Sequence, residues 1–219
     1  MKDGHPFTIR SGFPTEARPE AARLFWQAFS NKLGRVMRPE ARALHFLERV
    51  MDPDHAISAV GAEGALLGMA GFKTAEGALV GGGLADLAAA YGWFGATWRG
   101  LLLECLERKH EPGRLLMDGV FVREDARGLG IGSALLDAIQ DEAARRGLSE
   151  VRLDVIDINP RARALYERKG FRATATTRTG LLRPIFGFAC ATTMVRPLAG
   201  TSAEDRRSSK DRRPNRRAR

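Results

Sequence analysis

Residues 115–139 read LLMDGVFVREDARGLGIGSALLDAI. The apolar, β-branched run from Leu115 to Val122 predicts a buried strand, and the polar turn after it gives way to Arg127-Gly128-Leu129-Gly130-Ile131-Gly132. That step leads directly into Ser133–Arg146, where Leu135, Leu136, Ile139 and Ala143 recur on one side of a predicted amphipathic helix. Glycines at 128, 130 and 132 permit backbone conformations closed to residues with a Cβ, so successive N–H groups can turn toward one point. A helix start also leaves amide donors unpaired at the positive end of its dipole. The combination suits a phosphate or pyrophosphate, with Arg127 as a charged partner. The plainer reading is a glycine-rich turn that only packs helix on strand.

Two well-known phosphate loops can be tested against the stretch. A P-loop ends in Gly-Lys-Ser or Gly-Lys-Thr, but Gly132 is followed by Ser133 and Ala134, so no lysine is placed to reach the phosphates. A dinucleotide fingerprint asks for its third Gly or Ala at 133, which is Ser, and for an acid about 20 residues on. Asp154 stands near that spacing, yet the stretch lies late in the chain instead of opening a βαβ unit, which weakens an oxidoreductase reading.

Strands and helices alternate outward from this centre. Downstream, Val151, Leu153 and Val155 alternate with Arg152 and Asp154 in a strand over Val151–Ile156. Asn159 and Pro160 suit the cap and first turn of a helix running to about Lys169, and Phe171–Thr177 and Ala189–Arg196 supply two last strands. Upstream, PFTIR reads as a short strand, and Pro14–Lys32 carries Ala21, Leu24, Phe25, Ala28 and Phe29 at helical spacing. A second helix is expected over Arg38–Met51, with Leu44, Phe46, Leu47 and Val50, before two strands, Ala56–Ala62 and Leu66–Thr74, turned at Glu63 and Gly64. The class is α/β or α+β with one mixed sheet. Residues 75–113 interrupt the pattern and are too long for a hairpin loop. Asp86 and Arg99 leave only the twelve residues Leu87–Trp98 uncharged, short of the roughly 20 that span a bilayer. A helical insert over a pocket or a homodimer interface is expected there, and Tyr91, Trp93, Phe94 and Trp98 suit either.

A chain of 219 residues, 44% hydrophobic and 28% charged, fits one domain or a small pair and can bury about 70% of its unfolded surface without a disulfide or metal. Cys105 and Cys190 have no CxxC partner and no His at ligand spacing, so no metal site or disulfide framework is expected and a reducing compartment is. The start, MKDGHPFTIR, lacks the apolar run of a secretory signal, which makes the cytoplasm the expected location. The net charge is +9, but residues 199–219 hold eight Lys or Arg against three acids, leaving +4 for residues 1–198. With no aromatic residue and no apolar residue larger than Ala, that tail is expected to stay disordered beside a domain spanning 1–198. It serves either as a solubilising tail or as a weak electrostatic contact to nucleic acid or an anionic surface.

Two motifs in order resemble the GCN5-related N-acetyltransferase (GNAT) family. The family's pyrophosphate-loop pattern (Arg or Gln, two residues, Gly, one residue, Gly or Ala) is matched by Arg127, Gly130 and Gly132. Downstream, in NPRARALYERKGF, residues Asn159, Ala162, Leu165, Tyr166, Gly170 and Phe171 stand at the spacing seen after the family's fifth strand. The resemblance covers about residues 7–198, best from Leu115 to Phe171 and poorest through 75–113, which is longer than the family's usual connection. It implies a mixed sheet of six or seven strands flanked by helices, with the insert between strands 3 and 4. It also implies transfer of an acetyl group from acetyl-coenzyme A, as co-substrate, directly to a primary amine.

The same resemblance assigns roles. Arg127, Gly128, Leu129, Gly130, Ile131, Gly132 and Ser133 would hold the pyrophosphate. The strand Leu115–Val122 would splay from its neighbour, so that backbone amides around Val120, Phe121 and Val122 bind the pantetheine arm and steady the anion that develops on the thioester oxygen. Asn159 and Ala162 would touch the cofactor arm, and Tyr166, a phenol with an ordinary pKa near ~10, would give a proton to the departing sulfur. Read without the resemblance, Tyr166 shares a helical face with Ala162 and Leu165 and is equally a core residue, and Asn159 is equally a helix cap. Asp118 is the candidate to attract or deprotonate the amine, because it precedes the splay with the parity of Val120 and Val122; an ion pair with Arg114 or Arg152 is its other reading. Glu124 and Asp125 read as solvated turn residues, and Asp154 and Asp157 as further options. His45, His55 and His110 show no recognisable partner, and neither cysteine has the His and acid of a ping-pong nucleophile. The acceptor is open among polyamine, antibiotic, amino acid and protein N-terminus. The alternative function is a non-catalytic coenzyme A sensor or a nucleic-acid-tethered binding protein.

Overall fold

The computed structural model describes residues 6–104, 111–180 and 183–198. Cys105, His110 and the basic tail lie outside the described residues. The elements run β1 (Phe7–Ser11), α1 (Arg18–Met37), α2 (Glu40–Val50), β2 (Ala56–Gly61), β3 (Leu66–Lys73), α3 (Leu84–Glu104), β4 (Arg114–Val122), α4 (Ile131–Arg145), β5 (Glu150–Ile156), α5 (Pro160–Arg168), β6 (Arg172–Arg178), α6 (Arg183–Phe186) and β7 (Cys190–Pro197). The strands form one sheet in the order β1-β2-β3-β4-β5-β7-β6. Every neighbouring pair is antiparallel except β4–β5, which are parallel because α4 returns the chain between them.

Each face of the sheet carries its own core. On one face α1, α2 and α3 bury Phe25, Phe46, Leu47, Leu87 and Tyr91 against Leu66, Met69 and Phe121. On the other, α4 lays Ile131, Leu135, Leu136, Ile139 and Ala143 on Ile57, Phe72, Leu115, Met117, Val151 and Leu153. The α4 residues recur at the helical spacing read from the sequence, and each large aliphatic buried there contributes about 1.5–3 kcal/mol. Tyr166 of α5 and Phe171 join this second core, their rings 5.9 Å apart.

The insert between β3 and β4 is helical, as expected. Its helix α3 is kinked at Gly92, whose φ of 71° and ψ of 161° leave the helical region. Two side chains fix it to the end of α1. The Tyr91 hydroxyl donates to the Met37 carbonyl at 2.5 Å, and Arg99 donates to the Val36 carbonyl at 2.8 Å while its guanidinium lies 4.1 Å from the Tyr91 ring centre. The sequence reading missed α6. It is a single turn whose Phe186, 1% exposed, joins Phe188 in the α1-side core.

His55 has the partners that the sequence did not reveal. Its ring is buried against Phe72, Nδ1 stands 2.8 Å from the Asp52 carboxylate, and Nε2 stands 3.2 Å from the Thr74 hydroxyl. The network joins the start of β2 to the end of β3 and reads as structural.

Candidate active site

β4 and β5 pair only over Arg114–Leu116 and Glu150–Arg152, although both strands continue well beyond. Past Leu116 they part, and the gap opens toward the start of α4 and α5. A bulge in β4 assists the divergence. Gly71 of β3 pairs with Gly119 and Phe72 with Met117, so Asp118 is the extra residue by which the register shifts. Such a bulge bends the strand and re-aims side chains. It also breaks the strict alternation on which the parity of Asp118 with Val120 and Val122 rested: Met117, Val120 and Val122 all pack with the α4-side core.

Two connected hollows occupy the gap. The smaller, about 540 Å³, is lined by Val120, Phe121, Val122, Arg127, Gly128, Gly130, Gly132, Ser133, Asn159, Ala162 and Tyr166, with Gln27 from α1 and Arg161 and Arg168 from α5. The larger, about 1310 Å³, shares Val120, Phe121, Asn159, Ala162 and Tyr166 with it and extends to Asp118, Asp154 and the insert. Most residues singled out in the sequence therefore meet in one cleft. The Ile131 side chain does not: it is 1% exposed and packs under α4, and Leu129 points its side chain to neither hollow. Only the amides of these two residues can serve the cleft.

The loop before α4 is a set of donors. Gly128 and Gly130 have φ of 88° and 81°, and Gly130 caps α4 in the left-handed region. The amide of Arg127 donates to the Glu124 carbonyl at 3.3 Å and that of Ser133 to the Gly130 carbonyl at 3.0 Å. Between them, the five amides of Gly128–Gly132 make no backbone hydrogen bond among the described residues. The set of free donors is thus two residues shorter than Arg127–Ser133. Gly132 also allows close approach, since a Cβ there would lie 3.2 Å from Leu165 Cδ2 and 3.9 Å from Val120 Cγ1. Five free amides at the positive end of a fifteen-residue helix, three of them from glycines that line a hollow with three arginines, are a donor set that fits a diphosphate. Arg127 is about half exposed and lies 3.2 Å from Glu124, a loose surface pair that leaves it able to turn to an anion. Arg123 is held instead by Asp125 at 2.6 Å, which keeps that carboxyl below its usual range.

Tyr166 stands where the two hollows meet. It is 6% exposed, and burial pushes its phenol up to about 12, opposed by a hydrogen bond from the Val120 amide. Asn159 caps α5, its side chain accepting from the Ala162 amide at 3.2 Å, and still lines both hollows. The capping and cleft-lining readings thus coexist. Arg114 is paired with Glu111 and Glu150, and Arg152 with Glu111. The sequence reading missed Arg161 and Arg168; their separation of seven residues, two turns of one helix face, was the available signal.

Among the described residues no group of three or more His, Cys, Asp or Glu is arranged to hold a metal ion, and no helix is long and apolar enough to cross a membrane. Comparison with known proteins agrees with the geometry. The family model described as "Acetyltransferase (GNAT) family" matches residues 18–171. A thialysine N-epsilon-acetyltransferase of Bos taurus is 36% identical over 56 residues, which are 26% of this chain and 33% of the relative, so the match spans about a third of that protein's length. Among solved structures, a GCN5-related N-acetyltransferase from Kribbella flavida superposes with a TM-score of 0.59 at 20% identity, covering 88% of this chain and 98% of its own. An N-acetyltransferase from Staphylococcus aureus Mu50 gives 0.63 at 15% identity, covering 86% and 100%. At these identities the superpositions establish the fold.

Proposed function

The chain belongs to the acetyltransferase (GNAT) family, and from that premise we propose that it transfers an acetyl group from acetyl-coenzyme A to a primary amine by direct attack. The observation that carries this reading is the row of free amides at Gly128–Gly132 opening onto the same cleft as a buried, protonated Tyr166. When bound, the co-substrate supplies a thioester, an acyl group already activated toward an amine.

The chain's own groups do the rest. The Gly128–Gly132 amides hold the diphosphate, and Arg127, Arg161 and Arg168 add charge around it. Where β4 leaves β5, main-chain groups of Val120–Val122 other than the Val120 amide that bonds Tyr166 are released from the parallel ladder to hold the arm and to face charge developing on the acyl oxygen. Asn159 and Ala162 line the passage from one hollow to the other. Tyr166 keeps its proton throughout the neutral range and can give it to a sulfur anion. Asp118, re-aimed by the bulge, draws a cationic amine into the larger hollow and receives its proton, directly or through water. Fixing both reactants beside each other removes much of the entropic barrier.

Acetyl-coenzyme A should raise the melting temperature, and a panel of primary amines should elicit free thiol from it. Absence of any melting shift would sink the reading. Binding without amine-dependent thiol release across a broad panel would favour the coenzyme A sensor instead.

A further inference from the structure

The larger hollow differs in chemistry from the smaller one. Among the described residues, the arginines Arg127, Arg161 and Arg168 are all on the smaller side, whereas the larger is lined by the carboxylates Glu76, Asp118 and Asp154 and, among cations, by Lys73. Glu76 is at the rim, 3.8 Å from Arg146, which leaves Asp118 and Asp154 as the inner acids. An acidic interior inside a chain of net charge +9 runs against the molecule's overall sign and favours a cation there.

Apart from these groups the walls are apolar. Phe25 and Phe29 of α1, Phe46 of α2, and Leu84, Leu87 and Trp98 of the insert line the hollow. Seven large apolar side chains are exposed among the described residues, and four of them, Leu84, Phe94, Trp98 and Leu101, line this one hollow. Phe94 is 88% exposed. Exposed apolar surface gathered at one mouth marks a place where another apolar body is covered. With about 1310 Å³, the hollow also exceeds the volume that encloses an ordinary small ligand, leaving room for a bulky acceptor beside the acyl group.

From this placement, and resting on the acetyl-transfer reading above, we infer that the acceptor is a lipophilic primary amine: an ammonium group on an apolar, ring-sized or larger body, bearing no carboxylate. Its amine is drawn toward Asp118 and Asp154, and its body lies between Phe25, Phe29 and the insert side chains. A free α-amino acid is disfavoured because its carboxylate would enter a hollow in which the carboxylates Glu76, Asp118 and Asp154 outnumber Lys73 among the described residues. A polyamine is disfavoured because it brings no apolar body to cover the exposed insert side chains Leu84, Phe94, Trp98 and Leu101.

The test compares tryptamine, phenethylamine and octylamine with tryptophan and spermidine, using the full chain, acetyl-coenzyme A and thiol release. The expected result is a kcat/KM for at least one of the three lipophilic amines about 100-fold above those for tryptophan and spermidine. Trp98→Ala and the exposed Phe94→Ala should each lower kcat/KM for the preferred lipophilic amine about 10-fold, through KM and not kcat, with the KM for acetyl-coenzyme A unmoved. Tryptophan or spermidine acetylated as well as the lipophilic amines overturns the inference. So does acetyl-coenzyme A binding with none of the three lipophilic amines turned over. Failure to bind acetyl-coenzyme A at all overturns the underlying reading instead.

Discussion

Tyr166 joins the reaction to the core, and its environment makes both roles measurable. The Tyr166→Phe variant should lose about 100-fold in kcat with little change in the KM for acetyl-coenzyme A, because a general acid commonly contributes at least that much. Burial supplies a second signature. Burial raises the folded-state phenol to about 12 from its ordinary 10.0, so the proton is held more tightly in the folded state. Its contribution is fully present below pH 10 and is lost as pH rises from 10 toward 12. By linkage the loss is roughly 3 kcal/mol. Denaturant unfolding at pH 9 and 11.5 should therefore show a steeper alkaline loss for the wild type than for Tyr166→Phe; parallel losses would argue against a buried phenol. Asn159 offers a similar pair of readings. Its replacement by Ala removes a cap and should cost about 1 kcal/mol of stability, measured by denaturant midpoint, in addition to any effect on turnover. From sequence periodicity alone both residues read as packing or capping groups, and the structure explains why: they do pack and cap, and the same positions face the cleft.

At the scale of elements, the loop before α4 and the bulge in β4 set the site. An added Cβ at Gly130 meets nothing within 4 Å, so Gly130→Ala tests backbone conformation alone. A φ of 81° should cost an L-residue about 1 kcal/mol and turn the amide row away from its common target. The expected outcome is a rise in the KM for acetyl-coenzyme A with kcat nearly kept; an unchanged KM would show that the row is not the diphosphate site. Phe121 ties the bulged strand to α1, its ring 5.4 Å from Phe25 and 5.5 Å from Phe29 in edge-on geometry. Phe121→Ala should lower stability by about 3–5 kcal/mol, read as a shift in melting temperature. Elements with strong periodicity, such as α4 and β5, were legible almost to their ends because alternation and helical spacing report burial directly. The bulge at Asp118 was not, because an extra residue leaves the composition of a strand unchanged and shifts only its pairing with β3. The single turn α6 was too short to carry a period.

At the scale of the whole molecule, two chemistries meet at Tyr166, with cations and the glycine-rich loop on one side of it and acids in an apolar chamber on the other. That arrangement was only half legible. Both strand–helix motifs fall where the chain is most regular, whereas the chamber is built from α1, α2 and the insert, which meet only after folding. The basic residues 199–219 are proposed to stand apart from the reaction. A chain ending at Leu198 should keep its turnover and lose any salt-sensitive binding to nucleic acid, checked by thiol release and by filter binding at two ionic strengths. The account as a whole depends on where coenzyme A sits. A structure of the protein with coenzyme A should place diphosphate oxygens about 3 Å from amides within Gly128–Gly132 and the sulfur within hydrogen-bond reach of the Tyr166 hydroxyl. A diphosphate held elsewhere, or a sulfur pointing away from that phenol, would contradict it.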